Sequence, residues 1–482
     1  MREIEIQPIL LDRLAGLLPP QRAERLDEFA DKARFLLAGR TVWNISAVGK
    51  GGGVAEMLQT LLAYVRGAGV DTRWLVLDGD SEFFTITKRL HNVLHGSPGD
   101  GGSLGSEEKS HFERVLNHNL QMTKRVVRSG DIVLLHDPQT AGLVNDLRGL
   151  GAHVIWRCHI GRDIPNDLTD LGWSFLRGFI QEADGFILSR RAYVPDWLPP
   201  ERVVVIPPSI DPFSAKNILL TDAQTRAALG QAGLVATRFS RGNLGFTRRD
   251  GFAGRVRPHR GLVLDAPPMP EDARLVMQVS RWDRLKDMRG VLNGFADNLD
   301  HFPPDVHLAL VGPEASGVSD DPEGPQVLDE CRALWKGLRD TTRERVHLVC
   351  LPMDDVDENA HLVNALQRHA AVVVQKSLVE GFGLTVTEAM WKARPVVASA
   401  VGGIVDQIED GVHGLLLTDP YDLSAFAAAL ERVIRDEALA TELGEAARAR
   451  VQDEFLGDRH LIEYVELFTA LTGRMRDEQA SN

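Results

Sequence analysis

The stretch AVVVQKSLVEGFGLTVTEAMWKARPVVAS (371–399) carries the pattern that sets the fold. A β-branched apolar run, AVVVQ (371–375), leads through a glycine-bearing turn into a helix-like segment and then into a second β-rich run, PVVAS (395–399). Strands that alternate with helical stretches build βαβ units and a parallel sheet, so this stretch reads as one such unit. Working outward, the alternation recurs along the chain. TVWNIS (41–46), RWLVLD (73–78), DIVLLH (131–136), HVIWRC (153–158), GFILS (185–189) and RVVVIP (202–207) form one set of expected strands. RLVMQVS (274–280), VHLALVG (306–312), RVHLVC (345–350) and GLLLT (414–418) join AVVVQ and PVVAS in a second set. The pattern predicts an α/β chain of two Rossmann-like, doubly wound domains, over 1–212 and 271–455. The first 38 residues read as helical, 213–270 as a linker with a surface insertion, and the tail from about 456 to 482 as a helix packed back on the first domain.

Composition narrows the function classes. With 44% apolar and 25% charged residues among 482, and no unbroken apolar run of membrane-spanning length, the chain reads as globular, with no membrane span. The start, MREIEIQPILLDRL, alternates charged with apolar residues, unlike a secretory signal, so a cytoplasmic location is expected. The three cysteines, Cys158, Cys331 and Cys350, have no paired spacing, which argues against a disulfide framework or a zinc site. A net charge of −14 disfavours nucleic acid as a partner, so an anionic ligand has to be met by a local basic site.

Three local patterns supply such chemistry. In Glu380-Gly381-Phe382-Gly383-Leu384-Thr385-Val386-Thr387-Glu388 the glycines allow a tight turn that aims backbone N–H groups at a ligand, with two carboxylates placed to grip hydroxyl pairs. A glycosidase would need its carboxylates on opposite sides of the scissile bond, which one local segment does not supply; a capping role for Thr385 or Thr387 with Glu388 is the structural alternative. Ser280-Arg281-Trp282-Asp283-Arg284-Leu285-Lys286 follows an expected strand, and ligands of open α/β sheets bind at the carboxyl ends of strands. Arg281 and Lys286 could there do for a diphosphate what a metal does elsewhere. Gly49-Lys50-Gly51-Gly52-Gly53 stands between a strand and a helix-like stretch and could cradle a phosphate or a sugar hydroxyl, although it matches neither the P-loop nor the dinucleotide fingerprint.

Together EGFGLTVTE, the upstream SRWDRLK and the downstream AVGGIVDQIEDGVHGLL (400–416) resemble the second domain of retaining, family-4 glycosyltransferases of the GT-B fold. GKGGGVAEMLQTLL, Glu82-Phe83-Phe84, His91-Asn92, His136-Asp137-Pro138-Gln139 and Trp156-Arg157-Cys158-His159 are similar, within that family, to the trehalose glycosyltransferring synthases. The resemblance implies two Rossmann-like domains facing a cleft, a nucleotide diphosphate-glucose donor, free glucose as acceptor, trehalose as product, and no cofactor or metal. It implies that Arg281 and Lys286 hold the diphosphate and Glu388 the ribose. Glu380 would hold the donor sugar, helped by the N–H groups of Phe382, Gly383 and Leu384. His159 would lie beside the anomeric carbon, Gly51, Gly52 and Gly53 at the substrate, and His136, Asp137 and Gln139 toward the acceptor. Gly402 and Gly403 would turn the chain below the donor. Another family-4 transfer, to a sugar phosphate or polyol, a disaccharide phosphorylase and a non-catalytic sugar-nucleotide sensor are the competing readings, and a homodimer stays open. Residues 235–262, with seven arginines, depart from the family pattern and read as an exposed insertion that can be shortened without loss of the fold.

Overall fold

The computed structural model describes residues 1–49, 53–237, 244–249, 251–314 and 323–480, with side chains to 471. The chain divides into two compact units, Met1–Ser209 with Phe455–Asn482, and Ile210–Glu454. No helix of the described residues is long and apolar enough to cross a membrane.

The first unit is built on seven strands: β1 (Arg2–Ile4), β2 (Val42–Ser46), β3 (Thr72–Val76), β4 (Ile132–His136), β5 (His153–Cys158), β6 (Gly185–Leu188) and β7 (Val203–Val205). Their order is β1-β3-β2-β4-β5-β6-β7, with β1 antiparallel to β3 and all other neighbours parallel. Side chains of one strand leave alternately to the two faces. Leu75 accordingly joins a cluster with Phe83, Leu90, Phe112 and Leu176, while Trp74 and Val76 pack with Leu58 and Leu62 of the helix Gly53–Gly67. Both faces are covered, which explains why β2, β4 and β6 are buried throughout and read as continuous apolar runs. The helix Gly457–Ala480 belongs to this unit, and Arg22 holds its first turn by a forked pair of bonds to Asp458, 2.9 and 3.0 Å. The N-terminal stretch is not helical throughout: Arg2–Ile4 forms an edge strand before the helices Asp12–Ala15 and Pro20–Leu36. Three residues on a half-exposed edge are too few to show a period.

The second unit corrects the expected linker. Residues 213–270 lie within it and contain the helix Asp222–Gln231, a parallel pair of β8 (Val235–Ala236) with β11 (Met269–Pro270), and a hairpin of β9 (Gly245–Thr247) and β10 (Ala253–Arg255). The main sheet follows, of β12 (Arg274–Val279), β13 (Val306–Pro313), β14 (Val346–Leu351), β15 (Val372–Gln375), β16 (Val396–Ser399) and β17 (Leu415–Leu417). Its strands are all parallel in the order β14-β13-β12-β15-β16-β17. In both sheets the winding reverses once, between β2 and β4 and between β12 and β15. Such reversals open a crevice at the carboxyl ends of the two central strands.

The arginine-rich insertion is held down by charge. Arg248 bonds Asp355 at 2.6 Å, Arg249 bonds Asp357 at 2.6 Å, and Arg257 bonds both Asp354 at 2.7 Å and Glu358 at 2.6 Å, all acids at the start of the helix Val356–His369. Phe246 of β9 stacks on His361 of the same helix, centroids 4.9 Å apart. Glu358 has no exposed surface, so the hairpin covers a carboxylate that would otherwise be buried without its cations. Replacing residues 244–257 of the insertion by a short Gly/Ser linker is therefore expected to lower the melting temperature by more than about 4 °C. Arg257→Ala should cost more than Arg248→Ala, and thermal unfolding followed by circular dichroism checks both. An unchanged melting temperature would return the segment to a surface role.

Candidate active site

At the reversal in the second unit two loops meet, one after β12 and one after β15. Trp282 anchors the first: its indole is buried and its Nε1–H donates to Pro313 O at 2.9 Å. Asp283 then accepts the N–H of Leu285 at 2.8 Å and starts a single 3-10 turn over Arg284–Lys286. The turn sends Arg284 outward to Glu330, at 2.7 and 3.0 Å, and Lys286 inward. Lys286 Nζ lies 2.6 and 2.7 Å from the two oxygens of Glu380. Arg281, about a quarter exposed, sits 3.6 Å from Asp283.

The second loop begins with Ser377, whose hydroxyl donates to Glu380 at 3.0 Å, and ends at Gly383. Gly383 has φ 87°, a conformation that a side chain disfavours, and it is the N-cap of the helix Leu384–Trp391 without a side-chain cap. Neither threonine serves as cap. Thr385 donates to Gln375 at 2.9 Å, and Thr387 donates to Gln407 at 2.6 Å. The positive end of a short helix is thus aimed into the loop. Phe382 is buried, its carbonyl accepting from Gln407 Nε2, and Gly403 approaches so closely that a Cβ there would lie 2.6 Å from the Phe382 Cα. Glu388 is buried one turn into the helix, 3.3 Å from Lys216 Nζ. The structure therefore brings Lys286, Glu380, Phe382, Gly383 and Leu384 together, with Arg281 on the loop beside them and Glu388 one turn along the helix. Lys216 escaped the sequence reading because it stands in the segment taken for a linker.

At the reversal in the first unit β2 leads toward the glycine loop. Gly51 and Gly52 lie outside the described residues, and Gly53 opens the helix Gly53–Gly67. β4 ends at His136, and Asp137 follows with φ 63°, a left-handed value rare for a side-chain-bearing residue. Three contacts impose it. The Asp137 N–H donates to Arg157 O at 2.7 Å, its carbonyl accepts from Trp156 Nε1 at 3.2 Å, and its carboxylate accepts the His159 N–H at 2.7 Å. Asp137, expected to face the acceptor, thus uses one carboxylate oxygen to hold the main chain of His159.

The imidazoles of His136 and His159 lie stacked, 5.8 Å between centroids. His136 Nε2 is 3.0 Å from Asn44 Oδ1, which makes that nitrogen the donor and leaves Nδ1 an acceptor. Among the described residues His136 Nδ1, His159 Nε2 and Gln139 Oε1 are buried and have no hydrogen-bond partner. Burial, with the neighbouring Arg157 charge, pushes His136 down to about 3 and His159 well below the ordinary histidine range, so both rings are neutral near pH 7. Burial raises the Asp137 carboxyl to about 7.

Arg157, a residue of the Trp156–His159 motif with no expected role, lies at the base of this group. Its side chain is fully buried and its hydrogen bonds run to neutral groups: His460 Nε2 at 2.9 Å, the Tyr464 hydroxyl, and Ile206 O at 3.2 Å. His460 in turn is 2.8 Å from Ser209 Oγ through Nδ1. The helix Gly457–Ala480 therefore completes the strand-end site of its own unit, a contribution invisible in sequence because its residues stand three hundred positions from β5.

The shifts fix the sign of a pH dependence. An imidazole whose pKa is depressed on folding contributes stability that is present above its unfolded value, about 6.5, and lost as pH falls toward its folded value. A carboxyl whose pKa is raised acts oppositely: its contribution is full below about 3.8 and is lost as pH rises through 7. His136→Asn should accordingly flatten the fall of melting temperature below pH 6.5, and Asp137→Asn should steepen it. Melting curves from pH 4 to 8 test the pair; parallel curves for all three proteins would overturn the burial argument.

Residues 44–195 match the family described as "Trehalose synthase, N-terminal domain", and residues 264–450 match "Glycosyl transferases group 1". The chain is 33% identical over 469 residues to a trehalose synthase of Pyrococcus horikoshii, covering 96% of this chain and 97% of that one. It is 28% identical over 434 residues to a trehalose phosphorylase of Pleurotus pulmonarius, covering 85% of this chain and 54% of the phosphorylase. Among solved structures, the alpha,alpha-trehalose 6-phosphate synthase of Burkholderia multivorans aligns with a TM-score of 0.65 at 16% identity, covering 90% of this chain and 99% of that one, a likeness of fold. With its two parallel α/β units, the chain belongs to the trehalose synthase family of group 1 glycosyltransferases with the GT-B fold.

Proposed function

We propose that the protein is a retaining, metal-independent glycosyltransferase that moves glucose from a nucleotide diphosphate-glucose to free glucose, forming α,α-trehalose. The observation that carries the reading is the contrast between the two strand-end sites. The second unit offers Arg281 and Lys286 beside an uncapped helix N-terminus, which suits a diphosphate. The first unit offers His136 Nδ1, Gln139 Oε1 and a neutral His159, which suit hydroxyl donors. A phosphorylated acceptor would need a cation on its phosphate, since a buried unpaired dianion is prohibitive.

In the proposed reaction the bond from the anomeric carbon to the diphosphate oxygen breaks and an oxocarbenium-like centre develops. The acceptor hydroxyl adds to the same face, and its proton passes to the departing phosphate oxygen. Glucose and the nucleotide diphosphate-glucose become trehalose and the nucleotide diphosphate. Arg281 and Lys286 stabilise charge as it grows on the leaving group, and an N–H or ammonium already in place does so without reorganising. Glu380 and Glu388 hold hydroxyls of the donor sugar and ribose. Lys286 is bonded to both Glu380 oxygens, which sets its ammonium and the carboxylate side by side where the diphosphate and the donor-sugar hydroxyls would meet.

Likeness to a trehalose phosphorylase favours one second reading, cleavage of trehalose by inorganic phosphate. A panel of nucleotide-glucose donors with glucose or glucose 6-phosphate, run beside trehalose plus phosphate and analysed by NMR, separates the two. Trehalose and nucleotide diphosphate are expected from glucose, at a rate that survives EDTA. Faster transfer to glucose 6-phosphate, a linkage other than α,α-1,1, or release of glucose 1-phosphate from trehalose would sink the proposal. Arg281→Ala and Lys286→Ala are each expected to lower kcat about 10²–10³-fold. Glu388→Gln should act chiefly on the donor KM, because ribose contacts persist from ground to transition state.

A further inference from the structure

We propose that Lys376 is a positioning residue for the Lys286–Glu380 pair: its buried ammonium, seated on Asp287, locks the loop after β12 to the loop after β15. The inference rests on the donor-end reading given above, in which Lys286 meets the diphosphate.

Lys376 has no exposed surface. An ammonium removed from water needs a carboxylate in contact, and Lys376 Nζ bonds Asp287 Oδ2. Asp287 is the residue directly after Lys286. It takes φ 49° and ψ 44°, a left-handed conformation disfavoured for a residue with a side chain. Its other oxygen accepts the N–H of Gly290 at 3.0 Å and caps the helix Met288–Asp297. The fit leaves no slack: a Cβ on Gly290 would lie 2.0 Å from Asp287 Oδ2. The left-handed turn is what lets one residue close the 3-10 turn, start the helix and meet Lys376.

Two further bonds tie the same loops. Gln278, buried on β12, donates through Nε2 to Lys286 O at 2.7 Å and accepts the Lys376 N–H on Oε1 at 2.9 Å. The Leu378 N–H donates to Leu285 O at 2.8 Å. The main chain at 285 and 286 is thus pinned from 378 and 278, and the side chain at 287 from 376. Lys286 is left with one place for its Cα, from which its ammonium reaches Glu380. Four charges alternate along this seam, Lys376, Asp287, Lys286 and Glu380, and Lys376 is the one with no exposure. A shift of about 1 Å in a group that meets a developing charge can cost about 100-fold in rate, so a remote contact that sets its position is felt in turnover.

The test is a cycle of Lys286→Ala, Lys376→Met and the double variant, with kcat and KM for the nucleotide-glucose donor and the melting temperature of each. Lys376→Met is expected to lower kcat about 10–100-fold, with a smaller change in donor KM, and Lys376→Arg to recover part of the loss. In the Lys286→Ala background the same substitution should cost less than about twofold, since a residue acting through Lys286 has nothing left to position. Equal losses in both backgrounds would show a role in general stability and overturn the proposal, as would near-wild-type turnover by folded Lys376→Met. If Lys376→Met leaves Asp287 without its ammonium and fails to fold, Lys376→Met/Asp287→Leu removes both charges and carries the same comparison with and without Lys286→Ala. Lys286→Ala with unchanged turnover would instead defeat the donor-end reading itself.

Discussion

A parallel sheet wound in both directions from its centre forces neighbouring connections onto opposite faces, and the loops after the two central strands part. That constraint places both candidate sites of this chain. In the second unit these loops follow β12 and β15, and Arg281, Lys286, Lys376 and Glu380 lie on them, with Glu388 one helical turn beyond. In the first unit they follow β2 and β4, with β5 next in the sheet, and His136, Gln139 and His159 stand there.

The two sites handle electrostatics differently although both are buried. In the second unit the charges at the two loops are paired with opposites in contact, Lys286 with Glu380 and Lys376 with Asp287. In the first unit the guanidinium of Arg157 is satisfied by neutral acceptors, so its charge is felt by the imidazoles above it. Burial lowers the pKa of both imidazoles and the Arg157 charge adds to it, so the rings stay neutral. Paired charges suit a ligand that brings its own negative charge, since the pair can open toward it. Neutral rings with lone pairs suit a ligand that brings hydroxyls.

Charge also does structural work that apolar burial does elsewhere. The hairpin at 244–257 contributes few large apolar side chains, Phe246 and Val256 being the chief ones. Its arginines meet four acids around the first turn of one helix, so the contact is a complementary strip with an aromatic stack at its side. In a chain with an excess of acidic residues, such a strip also neutralises a dense local cluster.

The sequence by itself determined the parallel strands of the two main sheets. All twelve expected strands occur, with ends within two residues, because β-branched runs buried on both faces leave a periodicity that needs no partner to be read. It also shows where the tight turns fall, since glycines such as Gly383 and Gly403 are demanded by local backbone shape and close approach. Only the tertiary structure decided what those turns are fastened to. Asp137 gained a bond to the main chain of His159, the linker became a helix and a hairpin, and Lys216, Lys376 and Arg157 acquired partners from distant segments. Backbone propensity is a property of neighbouring residues and is written along the chain. The partner of a buried charge is whichever opposite or neutral group the fold delivers within about 3 Å, and that is settled only when the strands have taken their order.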